Sequence, residues 1–320
     1  MEQRVLGRTG LKVSVLGYGA GAVGGLMVRG SAAEQERSLA RAFEAGINYV
    51  DTAPAYGNGA SEENLGRALK ALSASPLVGT KFRLPAAPRD IPGAIAASLE
   101  ASLRRLGRDS IDLLQLHDPI GLDEGYSLTE LLGEAIPALH RLRDQGKCRF
   151  LGITALGSEP ALRQLLEAGL IDTAQIPFNA LNPSWLAPLP AGLPGQDFRQ
   201  LGHAAASQGV GLIGIRILAA GALSGEAGRH PIAMPEVAPI ASAGDYATDL
   251  AHARRLGPLV EEGHAASLAE LAIRFAITPP EMSLALIGTA SLGQLDQAVA
   301  AAERGPLPPP VLERIAALMA

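Results

Sequence analysis

The feature that most restricts this chain is a strict alternation of short apolar runs with amphipathic helical segments, repeated eight times after an N-terminal hairpin. The apolar runs end near residues 19, 51, 81, 117, 154, 176, 217 and 287. Helical patterns follow over 31–45, 61–72, 91–106, 127–146, 158–168, 197–208 and 267–277, and from 291 onward. Several open on capping boxes, as in Ser31-Ala32-Ala33-Glu34 and Ser127-Leu128-Thr129-Glu130. Strand-then-helix alternation favours a parallel sheet. Eight such units in a chain of 320 residues, 48% of them apolar, predict a (β/α)₈ TIM barrel with residues 1–320 as one domain. Residues 3–15 read as a β-hairpin that plugs the N-terminal end of the barrel. Helices at 245–262 and 311–319 are additions to the repeat.

One motif competes. Gly19-Ala20-Gly21-Ala22-Val23-Gly24 matches G-x-G-x-x-G after a strand, and Asp51 lies downstream as a ribose-binding acid would. Helical signals begin only at Ser31, however, whereas a dinucleotide-binding helix opens at its glycines. A flexible glycine loop at a barrel rim is the alternative.

Composition narrows the function classes. The net charge of −5 leaves no basic stripe for phosphates, so nucleic acid is not an expected partner. The most apolar window, 210–223, is too short for a bilayer and carries Arg216, so no membrane association and a cytoplasmic location are expected. Cys148 is the single cysteine, which excludes an intrachain disulfide and a cysteine-based metal site. It reads as a filler at a strand entrance, although Lys147 and Arg149 beside it would favour a thiolate. No cluster has metal-ligand spacing.

In a barrel of this kind chemistry gathers at the C-terminal ends of the strands. Asp51, Lys81 and His117 occupy such ends on the second, third and fourth strands, and Tyr56 lies five residues into the loop after Asp51. Singly, each has a structural reading: a helix cap, a surface cation, a core histidine, a loop aromatic. Together on consecutive strands they suggest one mouth.

Asp51-Thr52-Ala53-Pro54-Ala55-Tyr56, Thr80-Lys81 and Leu116-His117-Asp118-Pro119 resemble the tetrad motifs of the aldo-keto reductase superfamily, and Leu6-Gly7-Arg8-Thr9-Gly10 resembles its N-terminal segment. The resemblance covers essentially the whole chain. It implies interconversion of a carbonyl and an alcohol by hydride transfer with NAD(P)H. Tyr56 is the implied general acid/base, Lys81 its electrostatic partner, Asp51 the residue that fixes Lys81, and His117 the residue that orients the substrate oxygen. The chemistry is sound: a free phenol titrates near about 10, and a neighbouring ammonium favours its anion.

The resemblance also implies cofactor contacts at Gly19, Ala20, Gly21, Asp51, Thr154, Gln175, Arg216, Leu218, Gly221, Leu223, Gly288, Thr289, Ser291, Gln294 and Gln297. NADP(H) is the family default. Members that prefer it usually place a Lys or Arg after strand eight, where this chain has Gln294 and Gln297, so NAD(H) or dual use is open. A small-molecule carbonyl or alcohol is the expected partner. Its pocket would draw on Tyr18, Tyr56, His117 and Trp185, with Asn182 and Tyr126 among the loop residues. Trp185 either walls the pocket or packs its loop down. A catalytically weak nucleotide-binding regulatory module on the same fold is the alternative. The chain could act as a monomer or a homo-oligomer.

Overall fold

Eight parallel strands close on themselves in the computed structural model, which describes residues 1–84, 90–121 and 127–320. Strands β1 (Gln3–Val5) and β2 (Lys12–Ser14) form the hairpin; β3 (Leu16–Gly19), β4 (Tyr49–Asp51), β5 (Leu77–Phe82), β6 (Ile111–Leu116), β7 (Cys148–Thr154), β8 (Thr173–Pro177), β9 (Gly211–Ile215) and β10 (Met282–Gly288) form the barrel. The barrel order follows the chain, and β10 pairs with β3 to close the ring. This is the (β/α)₈ barrel that the alternation predicts. A closed ring excludes the doubly wound sheet of the dinucleotide-binding alternative.

The hairpin plugs the N-terminal end. Leu6, Leu11 and Val13 pack against Tyr49, Leu113, Ile213 and Leu284 inside the barrel floor. Each such buried aliphatic side chain contributes about 1.5–3 kcal/mol. Gly7 has φ +49, and a Cβ there would lie 2.3 Å from the backbone nitrogen of Gly211, at the start of β9. The larger apolar layer lies between the barrel and its helices, from Val15 and Leu39 round to Leu295 and Val299.

Three helical expectations are corrected and one helix is added. The 127–146 segment carries a π turn at Leu131–Ala135 before the helix Ile136–Asp144. Pro137 explains it, because a helical proline lacks an N–H and crowds the carbonyl four residues back. The 197–208 helix begins only at Leu201, since Asp197 accepts from the Arg199 N–H in a turn and Arg199 and Gln200 take φ of 49 and 56°. The 245–262 helix divides into Tyr246–Arg254 and Gly257–Glu261 ahead of Pro258. A four-residue helix, Leu26–Arg29, was not anticipated.

Candidate active site

Neighbouring strands carry the four tetrad side chains to one mouth. Asp51 ends β4, Lys81 lies near the end of β5, and His117 follows β6; the registers Asp51↔Gly79 and Lys81↔Gln115 align them. The loop after β4 turns back through Tyr56 N–H to Ala53 and Gly59 N–H to Pro54, with Gly57, Asn58 and Gly59 all left-handed. That turn returns the Tyr56 ring over the barrel.

Lys81 is 2% exposed and Asp51 4% exposed, so their ion pair is out of water. Lys81 Nζ donates to Asp51 Oδ1, to the Thr52 carbonyl at 2.9 Å and to the Tyr56 hydroxyl at 3.1 Å. Burial alone would pull the ammonium's pKa down; the Asp51 carboxylate and Tyr56 outweigh it and hold it above its ordinary value. Tyr56 and His117 meet edge to face, with ring centroids 5.7 Å apart and planes at 87°. Burial, Lys81 and Arg83 push His117 down to about 3, so its imidazole is neutral at physiological pH. Behind Lys81, Thr80 donates to buried Glu62 at 2.5 Å, and Arg105 pairs with the same carboxylate.

The other oxygen of Asp51 collects neutral donors. Gln175 Nε2 reaches Asp51 Oδ2 at 2.6 Å, Gln115 Nε2 at 3.1 Å and the Tyr49 hydroxyl at 3.3 Å. Gln175 thus sits inside the tetrad. Its register partner Thr154 is buried, with a hydroxyl that has no hydrogen-bond partner.

Beside the tetrad lies a cavity of about 830 Å³. Arg216, Leu218, Gly221, Gly288 and Thr289 line it, with Gln294 and Gln297 from the last barrel helix, Leu292–Glu303. The tetrad itself does not line this cavity. Arg216 connects the two, because it lines the cavity and lies within electrostatic reach of Tyr56. Burial pulls the Arg216 guanidinium below its ordinary value, with Tyr56 opposing and Arg229 reinforcing that shift. Around it, Arg216, Ala219 and Ala220 take φ of 56, 45 and 59°. Left-handed non-glycine residues in one loop are costly and concentrate where a ligand is held. Ser291 caps the last barrel helix by accepting from the Gln294 N–H. Gly19 is held in β3 between Asp51 and Gly288, and Gly21 faces the Tyr56 ring.

Several expected contacts are placed elsewhere. Tyr18 pairs with Val50 and Ile287 and shares their outward direction. It is 2% exposed, its hydroxyl is bonded to Ser38, and burial pushes it up to about 12. It belongs to the sheet–helix layer and not to the mouth. Trp185 is fully buried and stacked on Phe198 at 4.7 Å, so it packs its loop down. Asn182 is buried too, tying Ser184, Gln196 and Ala241 together. Ala20 donates its N–H to the Asp51 carbonyl, and its own carbonyl accepts from Ser61. The Leu223 side chain is buried in a separate apolar cluster and its N–H is taken by Leu218. Tyr126 lies outside the described residues. Cys148 is the first residue of β7, where burial pushes its thiol up to about 12; it is an inert filler.

The cavity also holds residues that no motif signals. Arg229 and Tyr246 come from the long segment after β9, and Arg304 from beyond the last barrel helix, where it pairs with Glu270 at 2.7 Å. Cations do face the cavity, but at sequence distances that pattern reading does not cover. Among the described residues no group of three or more His, Cys, Asp or Glu could hold a metal ion, and no helix is long and apolar enough to cross a membrane.

Comparison with known proteins bears on the family and the fold. The family model described as Aldo/keto reductase family matches residues 15–320. L-galactose dehydrogenase of Arabidopsis thaliana is 34% identical over 312 residues, covering 94% of this chain and 88% of that protein. D-threo-aldose 1-dehydrogenase of a Pseudomonas species is 37% identical over 187 residues, covering 50% of this chain and 56% of that one. A solved aldo-keto reductase of Bacillus halodurans shares the fold, with a TM-score of 0.75 at 24% identity over 100% of this chain and 97% of its own. The chain belongs to the aldo/keto reductase family. It is an NAD(P)-dependent oxidoreductase.

Proposed function

We propose that the protein oxidises a free aldose at C1, or reduces the corresponding carbonyl, with Tyr56 as general acid/base. One observation carries the reading: the Tyr56 hydroxyl lies 3.1 Å from Lys81 Nζ, an ammonium whose charge is fixed by a buried carboxylate. The names of the two sugar dehydrogenases above support the substrate class.

The bound nicotinamide cofactor supplies or takes up the hydride. As hydride reaches a carbonyl carbon, the π electron pair moves to oxygen, and Tyr56 gives that oxygen its proton. Lys81 then stabilises the phenolate left behind. In the oxidative direction the Tyr56 phenolate takes the proton of the C1 hydroxyl. Neutral His117 donates a hydrogen bond to the substrate oxygen and orients it. Two observations fit the cofactor: the unpartnered Thr154 hydroxyl beside Gln175, suited to a carboxamide, and the left-handed loop along the cavity. Arg216 and the backbone of 218–221 and 288–289 would hold its phosphates, with the start of the last barrel helix favouring negative charge.

The experiment is an aldose panel, including L-galactose, with NAD⁺ and NADP⁺, followed by nicotinamide fluorescence, and an aldehyde panel in reverse. Absence of turnover in both directions would remove the proposal.

A further inference from the structure

The four tetrad residues do not account for how Asp51 is held. Its Oδ1 serves Lys81, while Oδ2 faces three neutral donors from alternate strands: Tyr49 on β4, Gln115 on β6 and Gln175 on β8. Side chains from alternate strands form one layer across the interior of such a barrel. Gln175 is also a proposed cofactor contact. Tyr49 and Gln115 are fully buried and have no part in the reaction as described above.

The surroundings are shaped to this layer. Gly79 stands opposite the Tyr49 hydroxyl, where a Cβ would lie 2.1 Å from that oxygen. A Cβ at Gly17 would lie 3.4 Å from the Tyr49 ring, and one at Gly152 would lie 3.0 Å from Gln115 Cγ. Small residues on β3, β5 and β7 thus leave room for large polar ones on β4 and β6. Gln115 also leaves its Oε1 buried without a partner. An unpaired buried acceptor is costly. Rotating the amide would relieve nothing, because the oxygen would then face the Asp51 carboxylate. The orientation is therefore set by the carboxylate. Tyr49 stays protonated, because burial first and then the Asp51 charge push its hydroxyl well above the ordinary range, and its proton is directed to Asp51 Oδ2.

We infer that Tyr49 and Gln115 are positioning residues, which align the Asp51 carboxylate from beneath and thereby fix the Lys81 ammonium against Tyr56. The inference rests on the proposed hydride-transfer reading. Without Tyr49 and Gln115 the carboxylate would lose two of the three side-chain anchors on Oδ2, and Lys81 its fixed place beside Tyr56.

The test compares wild-type protein with Tyr49→Phe and Gln115→Met, both close in volume to the original residues. Turnover is measured with L-galactose and NAD⁺ and with 4-nitrobenzaldehyde and NADPH. In each variant kcat is expected to fall roughly tenfold, the size of one hydrogen bond to a charge, with KM nearly unchanged. Cofactor affinity by fluorescence titration should stay unchanged. A readout free of turnover is the ¹³C-carboxyl shift of Asp51 at neutral pH, which should move in both variants. A Tyr49→Phe protein that folds with wild-type kcat and an unmoved carboxyl signal overturns the inference. If Tyr49→Phe does not fold, the same two measurements on Gln115→Met decide it. Wild-type protein that turns over neither substrate counts against the hydride-transfer reading instead, and the carboxyl signals then decide the positioning role alone.

Discussion

The Tyr56 hydroxyl accepts a 3.1 Å hydrogen bond from Lys81, and the same ammonium lies 4.9 Å from the centre of the Tyr56 ring. The phenol is thus fixed by its oxygen and by its face. Removing only the oxygen should leave the ring, the loop and the cavity intact. Tyr56→Phe is therefore expected to bind cofactor as wild type does and to lose about 10²–10⁴-fold in hydride transfer. Single-turnover kinetics beside fluorescence titration will check this; near-normal turnover would remove Tyr56 as the acid.

Lys81 and Asp51 are a buried pair, and breaking one side leaves the other charge stranded. Lys81→Met should cost about 3–5 kcal/mol in denaturant unfolding. Lys81→Met with Asp51→Asn should cost less, since no lone charge remains. The pH dependence has a definite sign. The folded value of Lys81 lies above its ordinary value of 10.5, so its stabilisation is complete below that pH and is lost as pH rises through the folded value. Wild type should lose stability in that alkaline range more steeply than the double variant.

His117 behaves in the opposite sense. Its folded value of about 3 lies below the ordinary value of 6.5, so between those limits the unfolded chain binds the extra proton. Stability should fall as pH drops from 6.5 toward 3, by up to about 1.4 kcal/mol per pH unit from this residue. His117→Asn should flatten that slope. The kcat profile should show no limb from His117 near neutral pH. A histidine limb near 6.5 that disappears in His117→Asn would mean that the imidazole is not held neutral.

The barrel and the tetrad were legible because each rests on local signals: strand–helix alternation, and rare residue types placed at strand ends. Tyr18 was misread because side-chain direction follows strand register, which one strand does not reveal. Only its pairing with Val50 shows that it points outward with that residue, while Asp51 points inward. Trp185 was open for a similar reason, since its stacking partner Phe198 lies thirteen residues away across a Pro- and Gly-rich loop. Gly24 shows another limit. A Cβ there would lie 2.6 Å from the Thr289 backbone nitrogen in the cavity wall, a crowding that only the fold reveals. Tyr49 and Gln115 gave no signal at all, because a tyrosine and a glutamine inside strands read as ordinary buried residues.

The start of the last barrel helix offers a test of cofactor choice. Gln294 lines the cavity and accepts from the Ala290 N–H at 2.8 Å, so it acts as a neutral brace. Arg304 also faces the cavity, but its charge is committed to Glu270 at 2.7 Å, and Arg274 meets the same carboxylate at 3.2 Å. Among the described cavity-lining residues from this helix and its C-terminal cap, Arg304 is the one cation, and it is paired with Glu270, so a 2′-phosphate there would meet no free charge, whereas a 2′-hydroxyl needs none. Gln294→Arg should accordingly strengthen NADPH binding by roughly tenfold at low salt, the scale of one charge-assisted contact, and leave NADH nearly unchanged. The gain should shrink as salt rises, because the helix start is open to solvent. Fluorescence titration of both cofactors at two ionic strengths measures this directly. Equal gains for NADH and NADPH would show that the arginine acts on the shared pyrophosphate, and the basis for cofactor choice would then lie elsewhere along the cavity.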